Sequence, residues 1–291
     1  MARNAGKVRG FTLVELLIVI GIIALLMGIL LPALSRARQN AQEIACMNNM
    51  RQLGMGFLMY SDTFKGYIPA DGGNGTSSQP VTQATSNVGG KLLLDWDSQE
   101  LWFNAIPPYA GEASVYEQSQ GIGGPPAVGG KGLFVCPSCV TSMAAPADVS
   151  AGVQTDASGC YLLHGAPAGS HGKGDQVRRT FVCYVLNSKL NATQPVQRMA
   201  QLDSTVALLV EKRMTQGEIP TNDPNYGKSL GQLKAEWKRF AGRHNKGGNI
   251  LFADGHVAWF SVRELETPLT SSPLDYNDPA KVVWDPFGPE N

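Results

Sequence analysis

Residues 7–31 read KVRGFTLVELLIVIGIIALLMGILL, a short basic stretch followed by a long apolar run. The 21 residues from Phe11 to Leu31 contain one charged side chain, that of Glu15. As an α-helix rising about 1.5 Å per residue, this run would be roughly 32 Å long, which is enough to cross a hydrocarbon core of ~30 Å. The sequence therefore predicts a membrane-spanning helix close to the N-terminus.

Glu15 is the unusual feature of this run. A carboxylate inside the hydrocarbon layer costs about 2.5–3.5 kcal/mol if no cation accompanies it. A simple membrane anchor does not need such a group, so Glu15 is expected to meet a cation within the apolar layer. A secretory signal peptide fits less well, because its apolar core is only about 7–15 residues long and a small-residue cleavage site follows it.

The residues from Gly10 to Glu15, Gly-Phe-Thr-Leu-Val-Glu, resemble the class III signal of type IV prepilins and type II secretion pseudopilins. The resemblance implies that prepilin peptidase cuts after Gly10 and methylates Phe11. It also implies that Glu15 meets the freed α-amine of a neighbouring subunit during assembly. The partners would then be other pilin or pseudopilin subunits and the inner-membrane assembly machinery.

Positive charge alone does not orient the predicted span, because basic residues lie on both sides of it: Arg3, Lys7, Arg9, Arg36 and Arg38. The resemblance implies a bacterial inner-membrane protein that crosses the membrane once, with its C-terminal domain outside the cytoplasm, and that enters a filament on assembly. The expected divisions are a leader (1–10), a transmembrane helix half (11–31), an amphipathic helix half (32–62) and a globular extracytoplasmic domain (63–291).

Beyond Pro32 the pattern predicts that the helix continues with one apolar face. Apolar residues recur at steps of three and four in two successive sets: Leu34, Ala37, Ala41 and Ile44, then Cys46, Met50, Leu53, Phe57 and Tyr60. Gly54 and Gly56 are expected to weaken the end of this helix. An apolar face of this length requires another part of the chain to cover it.

The later part of the chain carries the strand signals. Thr180–Leu186 and Thr205–Val210 are rich in β-branched and apolar residues. Gly247–Ala253 and His256–Ser261 flank Asp254-Gly255, which predicts a hairpin with a two-residue turn. We therefore expect an α+β fold in which the long N-terminal helix packs on an antiparallel sheet with long loop insertions, and this is also the pilin arrangement.

His244 lies ten residues before Asp254, which gives the His-X9-Asp-Gly signature found near the C-terminus of large pilin-like proteins that this chain resembles. Two interpretations are open. His244, Asp254 and His256 contact a metal or a polysaccharide. Alternatively, the aspartate accepts hydrogen bonds from turn N–H groups while the histidines pack or cap.

The chain has five cysteines, Cys46, Cys136, Cys139, Cys160 and Cys183, and an extracytoplasmic domain would meet oxidising conditions. Three states are considered for the last four: disulfides that tie down glycine-rich loops, free buried thiols, or a four-thiolate zinc site. Cys46 is placed on the apolar face of the helix. An odd number leaves at least one sulfur outside any disulfide.

Composition and motifs argue against several other functions. The chain has 24 basic and 24 acidic residues, and loss of residues 1–10 would leave 24 − 3 = 21 basic, so no nucleic-acid surface is expected. The sequence lacks the short motifs of hydrolases, nucleotide-binding proteins and metalloproteases, so neither enzymatic activity nor a cofactor is expected. The other polar candidates lie in loops and carry little information: Asp95, Asp97, His164 and His171.

The sequence thus favours a structural subunit of a type IV pilus or a type II secretion pseudopilus. The alternative is a membrane-tethered extracytoplasmic protein that binds a glycan or a cargo through residues 70–240. An anchored hydrolase with an unrecognised site is a third possibility.

Overall fold

In the computed structural model of the protein, the first described element is helix α1, Leu13–Thr63. Pro32 lies inside α1 and does not end it. This helix confirms the predicted continuation of the apolar run into a second, amphipathic part. The structure describes residues 13–69, 86–88, 91–93, 99–119, 132–139, 161–163, 178–180, 182–187, 189–190, 198–213, 216–223, 234–235, 237–266, 278 and 280–286.

The chain divides into two compact units, Met1–Ala41 and Gln42–Asn291. In the first unit, the large apolar side chains from Leu13 to Leu34 are 47–78% exposed. Within the part of the chain that the structure describes, α1 is the one helix long and apolar enough to cross a membrane. A continuous apolar surface of this extent requires a lipid or protein partner.

The second unit contains the rest of α1, which buries one face. Cys46, Met50, Leu53, Phe57 and Tyr60 are at most 2% exposed, so this set of the predicted apolar face is confirmed. Ile44 belongs to the earlier set and is 56% exposed. The buried face of α1 therefore begins at Cys46.

Nine strands occur among the described residues: β1 Ser86–Val88, β2 Lys91–Leu93, β3 Tyr161–Leu163, β4 Arg178–Thr180, β5 Tyr184–Asn187, β6 Ala207–Glu211, β7 Lys234–Ala235, β8 Gly247–Phe252 and β9 Val257–Ser261. The first four form two short antiparallel pairs, β1 with β2 and β3 with β4. The others form one sheet in the order β7-β5-β6-β8-β9. Strands β5, β6, β8 and β9 pair antiparallel, as predicted, whereas the two-residue strand β7 joins the edge of β5 in parallel.

Short helices connect these strands. The α-helices are α2 Trp102–Ala105, α3 Val115–Ser119 and α4 Val262–Glu266, and the 3₁₀ helices are Pro107–Ala110, Met199–Gln201, Gln216–Glu218 and Trp237–Arg239. Trp102 links the helical layer to the core, since its ring lies 6.3 Å from Phe57 and 5.6 Å from Phe134 between ring centres. These aromatic rings fill the space beside α1.

Two glycines of α1 allow close packing. A Cβ atom at Gly54 would lie 2.7 Å from Cδ1 of Leu251 in β8, and one at Gly56 would lie 2.9 Å from Cγ2 of Ile106. Neither glycine ends the helix, which continues to Thr63. The small size of these glycines permits close tertiary contacts, which oppose the effect of their low helix propensity.

The hairpin of β8 and β9 is confirmed, but its loop differs from the expected two-residue turn. The Phe252 N–H donates to the His256 carbonyl at 2.9 Å, which leaves the three loop residues 253–255. Gly255 has φ +90°, the left-handed conformation that completes a three-residue hairpin loop with a bulge.

Candidate functional site

Four buried side chains meet at one point of the second unit. They are Cys46 of α1, Cys136 of the segment 132–139, Glu211 at the end of β6, and His244 just before β8. Each residue offers one atom that could bind a metal, and these four atoms all lie within 4.8 Å of one another. The four residues are 0–3% exposed. Cys46 and Cys136 form a disulfide. We call these four residues the Cys-His-Glu cluster.

Side chains of α1 hold the segment 132–139 beside the helix. The Asn49 side-chain amide donates to the Val135 carbonyl at 3.1 Å, and that of Gln42 donates to the Pro137 carbonyl at 3.2 Å. Both donors lie within one turn of Cys46 along the helix. The polar residues next to the buried face thus position Cys136 for its bond to Cys46.

A tight turn places His244. The backbone groups of His244 and Gly247 exchange two hydrogen bonds of 3.0 Å, and Asn245 and Lys246 between them adopt φ values of +50° and +65°. Gly247 has no room for a side chain, because a Cβ atom there would collide with the Phe260 carbonyl. The backbone of His244 is therefore held in place just before β8.

The imidazole of His244 contacts two members of the cluster. Its Nε2 atom lies 3.3 Å from Sγ of Cys136 and 3.2 Å from Oε1 of Glu211. Asn249 orients the carboxylate, since its backbone N–H donates to Oε2 at 3.1 Å and its side-chain amide to Oε1 at 3.3 Å. These contacts aim the carboxylate and the imidazole at the sulfur atoms.

Glu211 is ionised in this setting. Burial raises its pKa, but the hydrogen bond with His244 and the charge of Arg243 outweigh burial, and the net pKa is lowered. Arg243 is itself held by Glu218 through an ion pair of 3.1 Å, and it donates to the Lys212 carbonyl at 2.8 Å. A buried network of charges therefore surrounds the disulfide.

Replacing Glu211 with glutamine is expected to reduce stability near neutral pH by about 1.5–3 kcal/mol, the contribution of a hydrogen bond to a charged group. The folded-state pKa of Glu211 lies below its ordinary value of 4.5. The carboxylate therefore stabilises the fold fully above pH 4.5, and this contribution is lost as the pH falls through the folded-state pKa. Urea unfolding of both proteins between pH 7 and pH 3 measures the difference, which should narrow at the acid end.

The control for this comparison is Glu264→Gln, the same substitution at an exposed carboxylate that accepts from the Ser261 N–H at 3.0 Å. It should change the free energy of unfolding far less than Glu211→Gln. A wild-type advantage over Glu211→Gln that is the same at pH 7 and pH 3 would contradict the buried ionised carboxylate.

Two further cysteines lie close to the cluster. Cys139 and Cys183 are buried thiols that share a hydrogen bond, and the Cys183 backbone N–H donates to the Phe134 carbonyl at 2.8 Å. The shared hydrogen bond, together with burial, raises the pKa of Cys139. Burial opposes ionisation of Cys183, but the Cys139 hydrogen bond and the Arg243 charge lower its pKa overall.

The structure pairs the predicted cysteines differently from the expected set. Cys136 bonds to Cys46, which was not among the residues expected to form disulfides, while Cys139 and Cys183 are thiols. The burial of Cys46 was visible in the helical spacing of the apolar face, but its partner lies 90 residues away in the sequence. Cys160 lies outside the described residues, so its state stays a prediction.

The three residues of the His-X9-Asp-Gly signature do not meet. Asp254 and His256 lie beyond the far end of β8 from His244, a separation of roughly 20 Å for a strand of six residues. Oδ1 of Asp254 accepts the His256 backbone N–H at 3.0 Å, and the His256 ring stacks on Phe252 with ring centres 4.2 Å apart. Asp254 and His256 thus make turn and packing contacts, and His244 lies in the Cys-His-Glu cluster. A metal or polysaccharide contact of Asp254 and His256 stays a prediction.

The remaining predicted residues are placed as follows. Glu15 lies in the first turn of α1. Gly10 and Phe11 lie outside the described residues, as do the loop candidates Asp95, Asp97, His164 and His171. Glu211 was not predicted as a site residue. Its position directly after the apolar strand Thr205–Val210 indicates burial, and buried ionisable groups often mark functional sites.

Comparison with protein families identifies the class of the chain. Residues 6–31 match the family described as "Prokaryotic N-terminal methylation motif", which confirms the prepilin-type signal. With α1 and the antiparallel strands of the sheet, this signal defines a subunit of the pilin or pseudopilin type. Residues 35–181, half of the 291 residues, match the family described as "Protein of unknown function (DUF1559)", and the chain belongs to that family.

Other comparisons add nothing to this assignment. Curated proteins and solved structures gave no match to the chain. Because the family matches end at residue 181, the resemblance of residues 244–255 to the His-X9-Asp-Gly signature stays a prediction.

Proposed function

We propose that this protein is a structural subunit of a type IV pilus or a type II secretion pseudopilus that assembles through α1. The observation that carries the proposal is the methylation motif at 6–31, which runs directly into a helix whose apolar side chains are exposed from Leu13 to Leu34. In this proposal the precursor crosses the bacterial inner membrane once, with Gln42–Asn291 outside the cytoplasm. Its partners are prepilin peptidase, other pilin or pseudopilin subunits and the inner-membrane assembly machinery.

The energetics of α1 support assembly through the helix. An exposed apolar helix is stable in lipid, and in a filament core neighbouring apolar helices would replace the lipid. Transfer between the two environments therefore requires little exchange of apolar surface with water. A helix with a polar surface would not have this property.

The disulfide supports the proposed location. Disulfides persist in extracytoplasmic compartments and are rare in the reducing cytosol. The Cys46–Cys136 bond lies within the unit that the proposal places outside the cytoplasm. The presence of this disulfide is therefore consistent with export of that unit from the cytoplasm.

Replacing Gly10 with valine is expected to block cleavage and leave the precursor at full length in cells, because the resemblance places the scissile bond after this glycine. Mass spectrometry of the N-terminus from native membranes measures the outcome. Wild-type protein should begin with methylated Phe11.

The matched control is Gly28→Val, the same substitution within the apolar helix, where a Cβ atom would meet nothing within 4 Å. This variant should be cut normally. Native wild-type protein that begins at Met1 or Ala2 would contradict the proposed processing.

A further inference from the structure

The Cys-His-Glu cluster contains two buried polar side chains, Glu211 and His244, that a disulfide does not require. A disulfide is uncharged and its sulfur atoms are weak hydrogen-bond acceptors. Burying a carboxylate and an imidazole beside it is costly unless both are paired. Glu211 and His244 are 0% and 3% exposed, they pair with each other at 3.2 Å, and both direct polar atoms toward the sulfur atoms.

The distances from the His244 nitrogen to its two neighbours suit another kind of site. His244 Nε2 lies 3.3 Å from Cys136 Sγ and 3.2 Å from Glu211 Oε1. Atoms that bind one zinc ion at about 2.0–2.3 Å in a tetrahedron lie at similar distances from one another. Two thiolates, one imidazole and one carboxylate are all ligand types that zinc accepts.

We propose that reduction of the Cys46–Cys136 disulfide converts the cluster into a zinc site with Cys46, Cys136, Glu211 and His244 as its four ligands. The disulfide form and the zinc form are then two alternative states of the same residues. This inference does not depend on the proposed pilus or pseudopilus function.

The surroundings suit this role. The Glu211 carboxylate accepts two hydrogen bonds from Asn249, and outer contacts of this kind orient the carboxylate ligands of metal sites. The carbonyl of His244 accepts a hydrogen bond of 2.9 Å from Nε1 of Trp259, which helps to fix the residue. The four ligands come from four separate segments, so a bound ion would join α1 to β6 through Glu211, whereas the disulfide joins α1 to the segment 132–139.

The sulfur atoms and the metal ion balance each other in charge. Two thiolates contribute two negative charges, and one Zn²⁺ ion contributes two positive charges. The ions formed by Glu211, Glu218 and Arg243 need not change when zinc replaces the sulfur–sulfur bond. Replacement of the sulfur–sulfur bond by two thiolates and one zinc ion therefore adds no net charge, and any proton on the His244 imidazole leaves as its nitrogen binds the metal.

The reaction is balanced by an added reductant. A trialkylphosphine supplies two electrons that break the sulfur–sulfur bond, and it becomes a phosphine oxide by taking the oxygen of water. The two protons of that water protonate the sulfurs of Cys46 and Cys136. Zinc then displaces both protons as it binds the thiolates.

Cobalt titration of the full chain in detergent micelles tests the proposal. After anaerobic reduction with the phosphine and removal of excess reductant, one equivalent of Co²⁺ should produce the visible bands of a tetrahedral ion and the near-ultraviolet absorption of thiolate bound to cobalt. One equivalent of Zn²⁺ should remove both signals. The untreated disulfide form should show neither signal, and this comparison needs no variant.

Variants identify the ligands. His244→Gln should lose the tetrahedral bands, whereas the double variant Cys139→Ala/Cys183→Ala should keep them, and circular dichroism reports whether each variant is folded. Reduced wild-type protein that shows no cobalt signal would overturn the proposal. A signal that is lost with Cys139 and Cys183 but kept in folded His244→Gln would also overturn it.

Discussion

Replacing both Cys46 and Cys136 with alanine is expected to lower the free energy of unfolding of the second unit by about 2–5 kcal/mol. The bond closes a loop with a sequence separation of 90, for which the chain-entropy description gives roughly 4–5 kcal/mol. The loss arises mainly because the unfolded chain without the bond has more conformations. Urea unfolding followed by tryptophan fluorescence measures the change.

The matched control is Cys139→Ala/Cys183→Ala, which removes two buried sulfurs that share no covalent bond. It should be less destabilising than Cys46→Ala/Cys136→Ala. In metal-free solution, a phosphine should destabilise the wild type and the control but leave Cys46→Ala/Cys136→Ala unchanged. Equal destabilisation of the two double variants, or a wild type that is insensitive to the phosphine, would contradict the stabilising role of the bond.

Replacing Glu15 with alanine is expected to remove the protein from sheared filament fractions while leaving it in the membrane fraction. The carboxylate costs about 2.5–3.5 kcal/mol in an apolar layer if no cation accompanies it, so its loss should not impair insertion. In the proposed assembly, Glu15 pairs with the methylated α-amine of a neighbour and thereby sets the register between subunits. Cleavage after Gly10 should be normal, and so should the fold of the second unit.

The control for this experiment is Glu43→Ala, which deletes another carboxylate of α1 beyond the apolar run. It should give filaments in normal yield. Wild-type filament yield from cleaved Glu15→Ala would refute the proposed pairing. Absence of the wild-type protein from every filament fraction, combined with stabilisation by a glycan or cargo, would instead favour the membrane-tethered binding protein.

Local patterns predicted a large part of the fold. The long helix followed from one apolar run and from the spacing of Cys46, Met50, Leu53, Phe57 and Tyr60, because a helix repeats its neighbours every three to four residues. The hairpin followed from Asp254-Gly255 between two apolar strands. Such features depend on residues that lie close together in the sequence.

The candidate site is formed by residues that are far apart in the sequence, so local patterns predicted it less well than the fold. Nothing local to Cys46 or Cys136 specifies their pairing across a separation of 90. The His-X9-Asp-Gly signature suggested that His244 and Asp254 act together. They lie near opposite ends of β8, and the ends of a strand of six residues are roughly 20 Å apart. Glu211 could be connected with His244 only when the antiparallel pairing of β6 and β8 was known.

The cross-link between α1 and the segment 132–139 has a mechanical consequence for a subunit held by its helix. Tension applied to the first part of α1 enters the second unit at Gln42 and reaches Cys46 four residues later. From there a covalent path leads through Cys136 into a segment whose Phe134 carbonyl is hydrogen-bonded to Cys183, next to β5. Pulling would load the sheet through this path before it could peel the rest of the helix away from the core.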